Sequence, residues 1–131
     1  LALSFYVPAL LGLRYLPILI LSFMLTDLFI GFHDIVFFTW GSIIFIGLIS
    51  KYFIKSILSR ILGALIGAFA FFIITNFGVW SLGSYDYTAE GLILCYTLAI
   101  PFFAYNIIST FMFSAFFESI IKLKFIRIRI L

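Results

Sequence analysis

The sequence predicts an all-α membrane protein: a bundle of five transmembrane helices, six with a missing N-terminal helix, plus a short re-entrant or interfacial helix. Three observations predict it. Of the 131 residues, 66% are hydrophobic and 10% charged, where an average soluble domain carries about 25% charged residues. Mean hydropathy is +1.33, so there are too few polar groups to cover the surface that a soluble fold of this size leaves exposed. Apolar runs of membrane-spanning length alternate with short polar or basic segments, and the basic segments are placed as topology signals. Residues 1–131 read as a single transmembrane domain, with no internal repeat, low-complexity linker or second domain.

Crossing about 30 Å of hydrocarbon takes roughly 20 apolar residues in a helix. Residues 1–13 read as the end of one span. The chain is apolar from Leu1 and has no signal-peptide pattern, so it reads as a fragment or processed chain that lacks its N-terminal part. Residues 15–32 form a second span, and 35–50 a third, followed by Lys51, Lys55 and Arg60. Residues 61–80 form a fourth. Within it Gly63 and Gly67, repeated one residue on by Ala64 and Ala68, have the spacing that lets helix backbones approach closely, either inside the bundle or at a partner's surface. The turn SLGSYDY has loop composition.

Residues 88–121 are too long for one ordinary span and slightly short for two with a turn, and Pro101 removes a backbone donor in their midst. The basic residues arbitrate. Arg14, then Lys51, Lys55 and Arg60, and then Lys122, Lys124, Arg127 and Arg129 gather on one side only if this stretch makes one net crossing. That predicts a short re-entrant or interfacial helix over 88–102, ending at Pro101, followed by a full span over 104–121. It also places the C-terminus in the cytoplasm and turns His33 and the 81–87 loop outward. The tail KLKFIRIRI suits attachment to an anionic cytoplasmic leaflet.

A net charge of +3 is too small for a nucleic-acid partner. The lone Cys95 gives no disulfide or metal-ligand spacing, and nothing pairs a nucleophile with a base or cradles a phosphate. Catalysis, a metal and a cofactor are therefore not expected. Ionisable or amide side chains inside a span mark candidate sites instead, because lipid satisfies none of them. Asp27 lies near the outer end of its span, with Gly31 and Asp34 on the same face; it reads either as a packing hydrogen bond or as a ligand contact. His33 is an end-of-helix residue at the outer interface or a ligand. Asn76 and Trp80 are i, i+4 neighbours that can wall a pocket with an amide beside a flat ring. Tyr85, with Tyr87 and Glu90, either caps that pocket or sits at the interface. Asn106 falls where the last span begins, as a helix cap or a pocket residue. Glu118 and Lys122 read as a surface i, i+4 pair.

Two stretches, LTDLFIGFHD (25–34) and TNFGVWSLGSYDYTAEGLILCYTLAIPFF (75–103), resemble a family of small bacterial integral membrane proteins described as transport proteins. Nearly the whole chain takes part in the resemblance. LALSFY at the start is similar to the end of that family's N-terminal segment. The family in turn resembles, at a distance, the substrate-binding S components of energy-coupling factor (ECF) vitamin transporters, especially the biotin type, in which a Pro-Phe turn also precedes the last helix. The resemblance implies a six-helix bundle in a bacterial plasma membrane. It further implies a pocket toward the outer face for a small-molecule solute, and an inner face that docks a transmembrane coupling subunit driven by ATPases. Ser109, Thr110 and Phe111 stand where those S components often carry an acidic residue and a lysine.

The leading expectation is thus a substrate-binding membrane subunit of a small-molecule importer, with candidate ligand contacts at Asp27, His33, Asn76, Trp80, Tyr85 and Asn106. A structural or assembly subunit of a larger membrane complex is the alternative.

Overall fold

A computed structural model describes the backbone of residues 1–130 and the side chains through residue 123. Among the described residues every regular element is helical: α1 (Ala2–Leu11), α2 (Leu16–Ile30), α3 (Val36–Ser50), α4 (Ile57–Ser81) and α5 (Ala89–Ile130). Four helical stretches, Leu13–Ile30, Val36–Phe53, Ile57–Ser81 and Ala89–Leu123, are long and apolar enough to cross a membrane. The helix α1, at 10 residues, is about 15 Å long.

Local chemistry sets the boundaries. Pro17 opens α2, where a missing N–H costs nothing, and Gly31, at φ 109°, closes it in a backbone region that side chains rarely adopt. Ser56 caps α4 by accepting a 3.1 Å hydrogen bond from the Ser59 amide. Thr88 does the same for α5 through the Gly91 amide at 3.0 Å.

The helix α4 is the axis of the bundle, packed against α3 on one side and α5 on the other, while α1 packs chiefly on α3. Its small residues make this possible. A Cβ on Gly63 would stand 2.6 Å from the rings of Phe5 and Phe53, one on Gly67 would stand 3.0 Å from Ile46, and one on Gly78 would stand 2.5 Å from Phe38. The Gly63/Gly67 face is therefore filled from within the chain by α1, α3 and the Lys51–Phe53 turn. Phe5, Tyr6, Ile46 and Ala64 make the main core, and Leu16, Leu19 and Ile43 a smaller one under α2.

One expectation is corrected here. Residues 88–102 do not form a separate re-entrant or interfacial helix, because α5 runs unbroken for 42 residues through Pro101, a length of about 63 Å. The lost backbone bond at Pro101 is outweighed by side-chain ties to α4 on both sides of it. Tyr96 donates to the Ile73 carbonyl at 2.7 Å, the Cys95 thiol lies 3.4 Å from the Asn76 carbonyl, and Phe103 packs on Phe69 and Phe72. Neighbouring helices commonly rescue a proline in this way. Asn106 consequently lies inside a helix and caps no helix start. The stretch still passes along the bundle once, as the basic clusters require. The expected membrane attachment of the tail rests on Lys124, Arg127 and Arg129, whose side chains lie outside the described residues.

Candidate functional site

The turn between α2 and α3 and the turn between α4 and α5 lie at one end of the bundle, since Phe38 covers Gly78 and Ile35 shares a cavity with Asn76. That cavity, of about 200 Å³, opens between α4 and α5. Successive turns of α4 bring Phe72, Asn76 and Val79 to it, with Phe71 and Thr75 alongside. From α5 come Ala99, Phe102, Phe103 and Asn106. The walls are mainly apolar and include four phenylalanines, with the Phe72 and Phe103 ring centroids 4.5 Å apart.

Its polar groups are few and carry no charge. The Asn76 Nδ2 donates to the Phe72 carbonyl at 2.8 Å, which satisfies one amide hydrogen within the helix and leaves the Oδ1 as an acceptor. The Thr75 hydroxyl donates to the Phe71 carbonyl at 2.8 Å, so it too offers lone pairs. Asn106 brings a second carboxamide from the opposite wall.

A family model described as a family of unknown function, DUF6580, matches residues 2–128. The chain belongs to the DUF6580 family. No curated protein and no solved structure matches it.

In this DUF6580 chain the candidate residues part company. Asn76 and Asn106 meet at one cavity, whereas Asp27, His33, Trp80 and Tyr85 do not line it. Asp27 accepts a 2.7 Å hydrogen bond from the Trp40 indole nitrogen, and the edges of Phe32 and Phe37 flank that ring. Its carboxylate thus ties α2 to α3, and Asp27, Asn76 and Trp80 form no common pocket. Trp80 turns toward the loop: its indole nitrogen donates to the Asp86 carbonyl at 3.0 Å, and its ring meets the Tyr87 ring edge-on. Tyr85 lines a separate, open depression of about 580 Å³ formed by the loop itself and the start of α5. His33 is exposed in the α2–α3 turn.

The sequence reading missed the walls supplied by Ile35, Phe71, Phe72, Thr75, Ala99 and Phe103, since in an aromatic-rich chain nothing distinguishes these residues from lipid-facing neighbours. It also misread Glu118. Instead of forming a surface pair with Lys122, Glu118 is buried at the opposite end of the bundle. There Arg60 grips it with Nε on Oε1 and Nη2 on Oε2, both at 2.6 Å. The Tyr6 hydroxyl donates to the same Oε1 at 3.0 Å, and Arg60 Nη1 donates to the Ile54 carbonyl at 3.1 Å. The signal was present in the sequence: an acidic residue inside an apolar run needs a cation, and Arg60 opens the neighbouring span.

Proposed function

We propose that this chain is a substrate-binding membrane subunit of a small-molecule importer, with its pocket between α4 and α5 and opening toward the outer face. The observation that supports this most is the convergence of Asn76 and Asn106 on an aromatic-walled cavity. Amides inside an apolar bundle are costly unless hydrogen-bonded. Here two of them line one space together with Phe71, Phe72, Phe102 and Phe103. A cavity of about 200 Å³ is smaller than the roughly 300–1,000 Å³ of drug-sized pockets. The solute is accordingly small and flat or apolar in body, with one or two polar groups for the carboxamides. It is uncharged, because no charged side chain lines the walls.

The likeness to ECF S components supports a division of labour in which this bundle binds and a coupling subunit with ATPases supplies the drive. The test is uptake of labelled small solutes by cells expressing the wild-type chain, the Asn76→Ala/Asn106→Ala double variant, or no copy. Uptake that requires the wild-type pocket supports the reading, and identical uptake by all three refutes it.

The alternative of a structural or assembly subunit draws on α2, in which only Leu16 and Leu19 are buried within the chain. Against it, the small-residue face of α4 is already occupied internally.

A further inference from the structure

The helices α2 and α3 are joined at one end by the hydrogen bond from Trp40 to Asp27. At the other end Leu16 approaches Gly47 so closely that a Cβ there would stand 2.5 Å from the leucine. Between these points an apolar groove of about 560 Å³ opens on the outside of the bundle, lined by Leu13, Pro17, Leu21 and Met24 on one side and by Ile44 and Leu48 on the other.

Both walls end in a cation. Arg14 precedes Pro17 and Leu21 by three and seven residues, and Lys51 follows Leu48 and Ile44 by three and seven, spacings that keep each on the helix face that lines the groove. The Arg14 guanidinium lies 5.0 Å from the centroid of the Tyr15 ring and the Lys51 Nζ 4.9 Å from that of Tyr52. Tyrosine belongs to the interfacial belt, so these contacts hold both charges at headgroup level. Both cations are exposed, and among the described residues neither has an acidic partner, since the ion pair formed there is that of Arg60 with Glu118.

The groove is one leaflet deep. From Leu13 to Met24 the chain rises about 16 Å, half of the roughly 30 Å hydrocarbon layer, and one turn beyond Met24 the Asp27–Trp40 tie closes it.

We infer that this groove binds one anionic phospholipid of the leaflet on the basic side, with an acyl chain along the apolar walls and the phosphate between Arg14 and Lys51. Basic pockets between membrane helices on the cytoplasmic side suit anionic headgroups. A free phosphate would leave the apolar walls bare. A second copy fits poorly, because in the same membrane orientation it would bring its own Arg14 and Lys51 to the same level.

The test uses phosphatidylglycerol with a photoactivatable group in its acyl chain, added at low level to phosphatidylcholine nanodiscs that hold the full chain. On illumination the label should fall on peptides covering residues 13–24 and 44–48, and unlabelled phosphatidylglycerol should displace it where phosphatidylcholine does not. Arg14→Gln and Lys51→Gln should each lower this labelling about fivefold, the effect of one charge near an anionic lipid. Lys122→Gln, which removes an equal charge from an exposed position on α5, should leave it unchanged. Leu48→Trp, which fills the groove and keeps both cations, should abolish it. Label spread evenly over the lipid-facing helices, equal displacement by the two lipids, or a dimer that shields the groove overturns the inference. The competition is read on the wild-type chain, so it decides the matter whether or not every variant inserts. Ala99→Phe, which fills the α4–α5 cavity, should not alter the labelling, so failure of the pocket reading and failure of this one are told apart.

Discussion

Arg60 and Glu118, 58 positions apart in the chain, meet side-on with two 2.6 Å hydrogen bonds and join the start of α4 to the lower part of α5. With 13% and 7% of their side chains exposed, they form an ion pair in a low-dielectric setting, where each charge depends on the other. Removing one partner strands a buried charge. Glu118→Ala should therefore destabilise the bundle by about 3–5 kcal/mol, while Tyr6→Phe, which removes one bond to a carboxylate, should cost about 1.5–3 kcal/mol. Thermal unfolding in mild detergent followed by circular dichroism measures both, and an Arg60→Glu/Glu118→Arg exchange should regain part of the loss.

The packing of α4 predicts a second set of effects. Gly63→Val and Gly78→Val each place a side chain where an aromatic ring stands, Phe5 and Phe53 in the first case and Phe38 in the second. Overpacking of this kind costs about 1–3 kcal/mol, and the same unfolding assay reads it. A change at exposed Gly41, which has open space around it, should cost less.

Trp80 is predicted to order the loop and leave the pocket unaffected. Trp80→Phe keeps an aromatic ring but loses the bond to the Asp86 carbonyl, worth about 0.5–1.5 kcal/mol. Amide hydrogen exchange over residues 83–88 should accelerate several-fold while solute binding persists. Loss of binding with unchanged exchange would return Trp80 to the pocket.

Much of this was legible in the sequence, and the failures have physical causes. The apolar helices and the need of Asn76 for a hydrogen-bond partner follow from what hydrocarbon tolerates, whereas Asn106, legible as a helix cap, lies inside α5. Pro101 was misjudged as a break because its cost is local and visible, whereas the ties from Cys95, Tyr96 and Phe103 to α4 exist only once the two helices lie side by side. Asp27 was correctly singled out as needing a partner, but the sequence does not say that Trp40 supplies it. Lys122 is close to Glu118 in sequence, which hid the stronger claim of Arg60.

Topology follows from the basic clusters. Lys55 should face the cytoplasm and Ser84 the outside. With single cysteines in a Cys95→Ala background, a membrane-impermeant thiol reagent added to intact cells should label position 84 and spare position 55. The opposite pattern would invert the protein and place the cavity on the cytoplasmic side.

The central claim is that the α4–α5 cavity holds a small uncharged solute. Ala99 lines that cavity, and Ala99→Phe fills it from α5 without adding a charge. Native mass spectrometry of wild-type protein and of Ala99→Phe, both released from membranes in the same detergent and both shown to melt cooperatively, gives the most direct test. A small molecule of defined mass should be bound to the wild type and lost from the variant. The same adduct on both proteins, or none on either after loading with membrane extract, would contradict it.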